Sequence, residues 1–193
     1  MPKNDKRMQI LAAAEKLFTD KRYHELTLDD VAREAQVGKG TIYLYFKSKD
    51  DLVVHLAMHG HAALCALVRE IIDRREHDFE ERLVHVCAKV SEFMVGHHTL
   101  FRIMQEEEML SPSLVHENRS QLEGGRLELQ GLVVTILRDG QAQGRLRNDI
   151  DLELQAECLL EMMRVRDWYP ETPGRPSIRQ LIDVFIHGFR ARN

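Results

Sequence analysis

Residues 27–49 read TLDDVAREAQVGKGTIYLYFKSK, and this stretch decides the fold. Thr27 is a good N-cap, and Asp30, three residues on, completes a capping-box pattern for a first short helix. Val31, Ala32 and Ala35 give that helix one apolar side, with two small residues that let a neighbouring helix approach closely. A turn follows at 36–38, where Gly38 tolerates a positive φ and Val37 can tuck its side chain between the helices. A second helix runs from about Lys39 to Phe46, too short and too rich in tyrosine for an ordinary core helix. Ser48, with Asp51 at the third position, then caps a long helix. Two short helices around a tight turn put the N-terminal end of the second into the major groove of DNA.

The run VGKGTIYLYFKSKDDLV at 37–53 resembles the helix-turn-helix signature of the TetR family of bacterial transcriptional regulators. The preceding run RMQILAAAEKLFTDKRYHELTLDDVAREA, at 7–35, continues the match without a gap. The rest of the chain is similar to the family in layout, with a local likeness at DGQAQGRLRNDID, residues 139–151.

The residues themselves nominate Lys39, Gly40, Thr41, Tyr43, Leu44 and Tyr45 as the DNA-facing set. Gly40 lets the backbone come close to a duplex, and Thr41 can reach a base edge or a thymine methyl. Tyr43 and Tyr45 offer hydroxyls to phosphates, or else simply pack the head against the long helix. Lys49 and the hydroxyl and amide of Thr27 suit phosphate oxygens. The resemblance implies the same kinds of contact at these positions. Ile42 and Phe46, on the opposite side, belong to the core. The sequence GKGT at 38–41 is not a nucleotide loop, since Arg33 stands where such a loop needs glycine and Gly40 where it needs Ser or Thr. No cofactor is implied.

The charge distribution agrees in part. The chain of 193 residues has a net charge of −4, which on its own argues against a nucleic-acid binder. Residues 1–50, however, hold ten Lys/Arg against eight Asp/Glu, and 51–193 hold seventeen against twenty-three. Every lysine but Lys89 lies before residue 50, so the N-terminal part is the better candidate for phosphate contact. Cys65, Cys87 and Cys158 are odd in number and far apart, which fits buried thiols in a reducing cytoplasm. No apolar leader and no run of about 18 apolar residues is read, so the expectation is a cytoplasmic protein that does not span a membrane.

Along the chain, apolar residues at helical spacing predict helices over 6–20, 48–75, 78–96, 99–109, 113–142, 151–168 and 177–191. Gly124, Gly125 and Gly131 weaken the 113–142 helix and suggest a kink or local slack near Gly124. No strand pattern appears. The expected architecture is all-α, with a three-helix N-terminal DNA-binding head, 1–50, on a larger six-helix ligand-binding and dimerisation bundle, 51–193.

Two other chemistries compete with a DNA-binding regulator that answers to an organic ligand. His55 and His59 stand four apart on one helix face near His61, a spacing that can hold a metal and would make the chain a metal-sensing regulator. The pair His77-Asp78 recurs in helical metal-dependent phosphohydrolases, but here it sits in a polar stretch with the look of a surface turn. The main reading assigns neither a metal nor an enzymatic activity. The resemblance implies a small-molecule pocket in the second domain. The adaptable apolar residues Met94, Phe101, Met104, Met163 and Trp168 would line it, and His98, Arg102, Gln105 and Arg164 would supply polar contacts. The run RDWYP at 166–170 is similar to family members that answer to fatty-acyl-CoA or related thioesters. The implied protein is a repressor released from a near-palindromic operator by a small apolar effector. It would be a homodimer paired through the helices at 152–168 and 177–191.

Overall fold

The computed structural model describes residues 3–20, 23–73, 78–97, 112–168 and 173–188. The regular elements among these residues are helices, with no β-strand. The helices are α1 (Lys3–Asp20), α2 (Leu28–Glu34), α3 (Lys39–Tyr43), α4 (Lys49–Asp73), α5 (Phe79–Gly96), α6 (Pro112–Ala142), α7 (Leu152–Trp168) and α8 (Ile178–Gly188), with a single 3-10 turn at Tyr23–Glu25. The helix expected over 99–109 lies outside the described residues.

The chain forms two compact units, one of residues 1–60 and 97–122, the other of 61–96 and 123–193. In the first, Ile10, Leu11, Phe18, Val31, Ile42, Phe46 and Leu52 form one buried core. Each of these large side chains contributes about 1.5–3 kcal/mol by leaving water. In the second, α5 packs against α7 and α8, around Phe79, Leu83, Val86, Leu159, Met163 and Phe185.

Local signals set most of the helix starts. Asp78 accepts the Glu81 amide at 2.8 Å and so caps α5. Asp151 accepts the Leu154 amide at 3.1 Å. Ser177 and Gln180 form a reciprocal box, with Gln180 N–H donating to Ser177 Oγ at 3.2 Å and Ser177 N–H to Gln180 Oε1 at 2.8 Å. Asp78 is thus engaged in holding a helix end, while its neighbour His77 lies outside the described residues.

One expectation needs correction. α4 is long and apolar enough to cross a membrane by composition, contrary to the reading that no such run exists, but half of that window is buried inside the protein. Its apolar residues are core: Leu52, Val53 and Leu56 in one cluster, Leu64, Cys65 and Val68 in the other. α6 is assigned as one helix through Gly124 and Gly125. Gly125 is needed for a close approach, because a Cβ there would stand 2.6 Å from His61 Cδ2. The apolar stripe of α8 turns Leu181, Ile182 and Phe185 into the core of its own chain. The apolar side chains left exposed on α7 and α8 are Leu154, Val165 and Val184.

The second unit also buries charge. Arg82 donates to Asp139 Oδ2 at 2.7 Å and to the Ile72 carbonyl at 3.1 Å. Asp167, fully buried, pairs with both Arg166 and Arg175. Arg166 in turn reaches Ser91 Oγ at 2.9 Å and the Pro176 carbonyl at 2.8 Å. The first two residues of the RDWYP run therefore tie the segment before α8 to α5.

Candidate nucleic-acid interface

α2 begins in the capping box read from Thr27 and Asp30. Thr27 Oγ1 accepts the Asp30 amide at 3.2 Å and donates to Asp30 Oδ2 at 2.7 Å, while Thr27 N–H donates to the same carboxylate at 3.1 Å. The hydroxyl and amide of Thr27 are both committed within the box.

The helix ends in a Schellman motif, with Val37 N–H on the Ala32 carbonyl at 2.9 Å and Gln36 N–H on the Arg33 carbonyl at 3.1 Å. The left-handed residue is Gln36, with φ of 51°, and not Gly38, whose φ is −65°. The expected positive φ is therefore present in the turn but two residues earlier, because the closing carbonyls need it directly after the C-cap. From α1, Gln9 Nε2 donates to the Ala35 carbonyl at 2.7 Å and satisfies another carbonyl at the same end.

α3 is shorter than the predicted 39–46. After Tyr43 the chain tightens, with Leu44 N–H on the Thr41 carbonyl at 3.1 Å and Tyr45 N–H on that of Ile42 at 3.0 Å. This 3-10 closure separates the side chains sharply. Ile42 and Phe46 are fully buried, whereas Tyr43 is 51% and Leu44 80% exposed. Tyr45 is half-buried and packs on the core, which matches the packing alternative for that tyrosine. Thr41 is half-buried, and Gly40 is exposed with open space where a Cβ would stand.

The nominated lysines have partners in the free protein. Lys39 Nζ lies 2.6 Å from Asp29 Oδ2, and that hydrogen bond raises its pKa. Lys49 Nζ sits 4.0 Å from the Tyr23 ring centroid and donates to the Tyr23 carbonyl at 2.8 Å. Burial lowers its pKa, partly offset by Asp50. Burial, with Asp50 bonded to its hydroxyl, raises that of Tyr23. Lys47 is exposed, directly after Phe46, with no ion pair among the described residues. Sequence reading passed it over, although its position beside Phe46 was signal enough.

The ligand set is only partly described. Met163 is buried, and Met94 packs half-buried on the same core. Arg164 is instead paired with Glu161 on its own helix, Nε to Oε2 at 2.7 Å. His98, Phe101, Arg102, Met104 and Gln105, and the side chain of Trp168, lie outside the described residues. An open groove of about 730 Å³ in the second unit is lined by Glu80, Val84, Arg145, Arg179, Ile182 and Ile186 among others, and by none of the nominated residues that are described, Met94, Met163 and Arg164. Of the metal candidates, His55 faces Asp51 at 3.6 Å, and among the described residues no group of three or more His, Cys, Asp or Glu has metal-holding geometry.

A boxed first helix, a left-handed turn and a short second helix that offers its side chains outward define a helix-turn-helix, the architecture of a DNA-binding regulator. The chain belongs to the TetR family of bacterial regulatory proteins. The model described as "Bacterial regulatory proteins, tetR family" matches residues 10–56. The model described as "Tetracyclin repressor-like, C-terminal domain" matches 76–191. Among relatives, the fatty acid metabolism regulator protein of Bacillus subtilis is 28% identical over 81% of this chain and 79% of its own. The repressor KstR2 of Mycobacterium tuberculosis is 27% identical over 93% and 88%. The solved structure of FadR from Bacillus subtilis in complex with stearoyl-CoA has the same fold, with a TM-score of 0.70 at 23% identity, covering 93% of this chain and 95% of that one.

Proposed function

We propose that this protein is a homodimeric, ligand-responsive repressor, cytoplasmic, that leaves a near-palindromic operator when a small apolar effector binds. Residues 1–50 read DNA, and 51–193 bind the effector and pair the subunits. The observation that carries the reading is the split along α3 and the residues after it, where the exposed Tyr43 and Leu44 stand beside the fully buried Ile42 and Phe46. An exposed leucine and tyrosine beside an open glycine offer a surface that a groove can cover.

In this reading Lys39, Gly40, Thr41, Tyr43, Leu44 and Tyr45 face the groove. Thr27 positions the first turn of α2 through its box. Lys39 exchanges Asp29 for phosphate on binding, and Lys49 braces the Tyr23 segment from which it can reach the backbone. The exposed Leu154, Val165 and Val184 support a second copy pairing through α7 and α8. Two reading helices in a two-fold dimer address half-sites one or more turns apart, about 34–36 Å per turn.

Relatives concerned with fatty acid metabolism support a fatty-acyl-CoA thioester as the first effector to test, held around Met94 and Met163 with His98, Phe101, Arg102, Met104, Gln105, Arg164 and Trp168. The effector acts by preferring a spacing of heads that the operator does not accept, with α4 as the lever, and its effect is bounded by that preference.

Selection from random double-stranded DNA tests the reading. A palindrome is enriched, and salt weakens its binding with a slope set by the phosphates contacted. Gly40→Ala, which has room in the fold, weakens it too. Failure to enrich any sequence at low salt refutes it.

A further inference from the structure

We propose that Asp51 and His55 form a proton-responsive latch that positions the reading segment at 44–47. Its consequence for operator affinity rests on the DNA-reading assignment above, but its existence rests on local geometry alone. Asp51 is buried at the start of α4. Its Oδ2 accepts the Lys47 backbone N–H at 2.8 Å, and its own N–H donates to Ser48 Oγ at 3.1 Å. One carboxylate thus holds the end of the segment that carries Tyr43 to Phe46.

One helical turn on, His55 Nε2 faces Asp51 Oδ1 at 3.6 Å, too far for a hydrogen bond. The imidazole stands edge-on to Phe46, with centroids 5.7 Å apart and planes at 63°. Its Nδ1 is buried without a hydrogen-bond partner among the described residues. The ring therefore touches both the core aromatic under the reading segment and the carboxylate that ties that segment down.

The charged groups around it come from four elements. Arg7 of α1 lies over the Phe46 ring at 5.7 Å. Lys47 belongs to the reading segment, Asp51 to α4 and Glu117 to α6. Lys47, Asp51 and Glu117, with Tyr43 and Tyr45, line a cavity of about 330 Å³ that His55 also lines. Burial lowers the pKa of His55; Asp51 opposes that shift and Arg7 adds to it. Protonation makes both ring nitrogens donors and gives the ring a charge: it draws Asp51 Oδ1 inward, against the bond to Lys47, places an N–H on the partnerless Nδ1, and sets a second charge near Arg7. A group whose folded pKa is depressed gives stability present above its unfolded pKa and lost as pH falls through the folded one. The latch is closed near neutral pH and opens in acid.

The test follows the His55 ring protons and the Lys47 amide by NMR from about pH 8 to about pH 5. It uses the full chain, His55→Gln, and Asp51→Asn, which keeps an acceptor for Lys47 while removing the charge. The Lys47 amide should shift with the midpoint of His55 in the unaltered protein and stay flat with respect to it in both variants. Affinity for the selected operator should fall about threefold more between about pH 7.5 and about pH 5 in the unaltered protein than in His55→Gln. A Lys47 amide indifferent to His55, or equal pH slopes in the two proteins, overturns the latch. A responsive Lys47 amide in a protein that binds no DNA upholds the latch and refutes the DNA-reading assignment.

Discussion

α3 and α8 treat their apolar side chains in opposite ways. α8 carries much the stronger stripe in sequence, yet Leu181, Ile182 and Phe185 all turn into the core of one chain. α3 has five residues, and the chain at its end leaves Tyr43 and Leu44 in water. The strength of an apolar stripe therefore does not say whether it faces the chain's own interior or a partner. Exposure decides that, and it is set by which neighbours the fold brings up.

The widest gap between the two helices should appear on truncation. Phe185→Ala should cost about 3–5 kcal/mol, because it empties a fully buried position. Leu44→Ala should change stability by no more than about 0.5 kcal/mol, while weakening DNA binding. Denaturant titration of both variants, beside operator binding for the second, checks the pair. A large stability loss in Leu44→Ala would erase the contrast.

A smaller effect is expected at the glycine notch. In Gly125→Ala the new methyl meets His61 Cδ2 at 2.6 Å, and displacing a mostly buried ring should cost about 1–3 kcal/mol. Gly131→Ala, with open space around it, should instead gain up to about 1 kcal/mol from helix propensity. Equal melting shifts in the two would mean that the notch is not packed.

The smallest effect belongs to the turn. Gln36→Gly should raise stability by up to about 1 kcal/mol, since glycine carries no penalty at a φ of 51°. Gly38→Ala should be nearly neutral, because its Cβ would meet only Thr41 Oγ1 at an ordinary 3.6 Å. Thermal unfolding of the two variants reads both, and a reversed order would return the strained position to residue 38.

These contrasts also mark how far the sequence could be read. Caps were legible: Thr27 with Asp30, Asp151, and Ser177 with Gln180 all work over three residues, where spacing is information enough. The helix-turn-helix was legible for the same reason. The engagement of Lys39 and Lys49 was not, because Asp29 and the Tyr23 carbonyl reach them only through the turn and the tertiary fold. Nor was the burial of Arg82 or Asp167, since a charged residue in sequence reads as solvated until its partners arrive from other helices. The effector set was the least legible, resting on residue type alone, and five of its nine residues fall outside the described structure.

The alternation at the end of α3 has a consequence for how such a protein can change. Position 42 is inside, 43 and 44 are outside, and 46 is inside again. Residues that hold the scaffold are interleaved with residues on which the scaffold does not depend. Positions 39, 43 and 44 are therefore close to free parameters. A library built on them samples surface chemistry rather than degrees of foldedness, and a new surface can be acquired there without first acquiring a more stable protein to carry it.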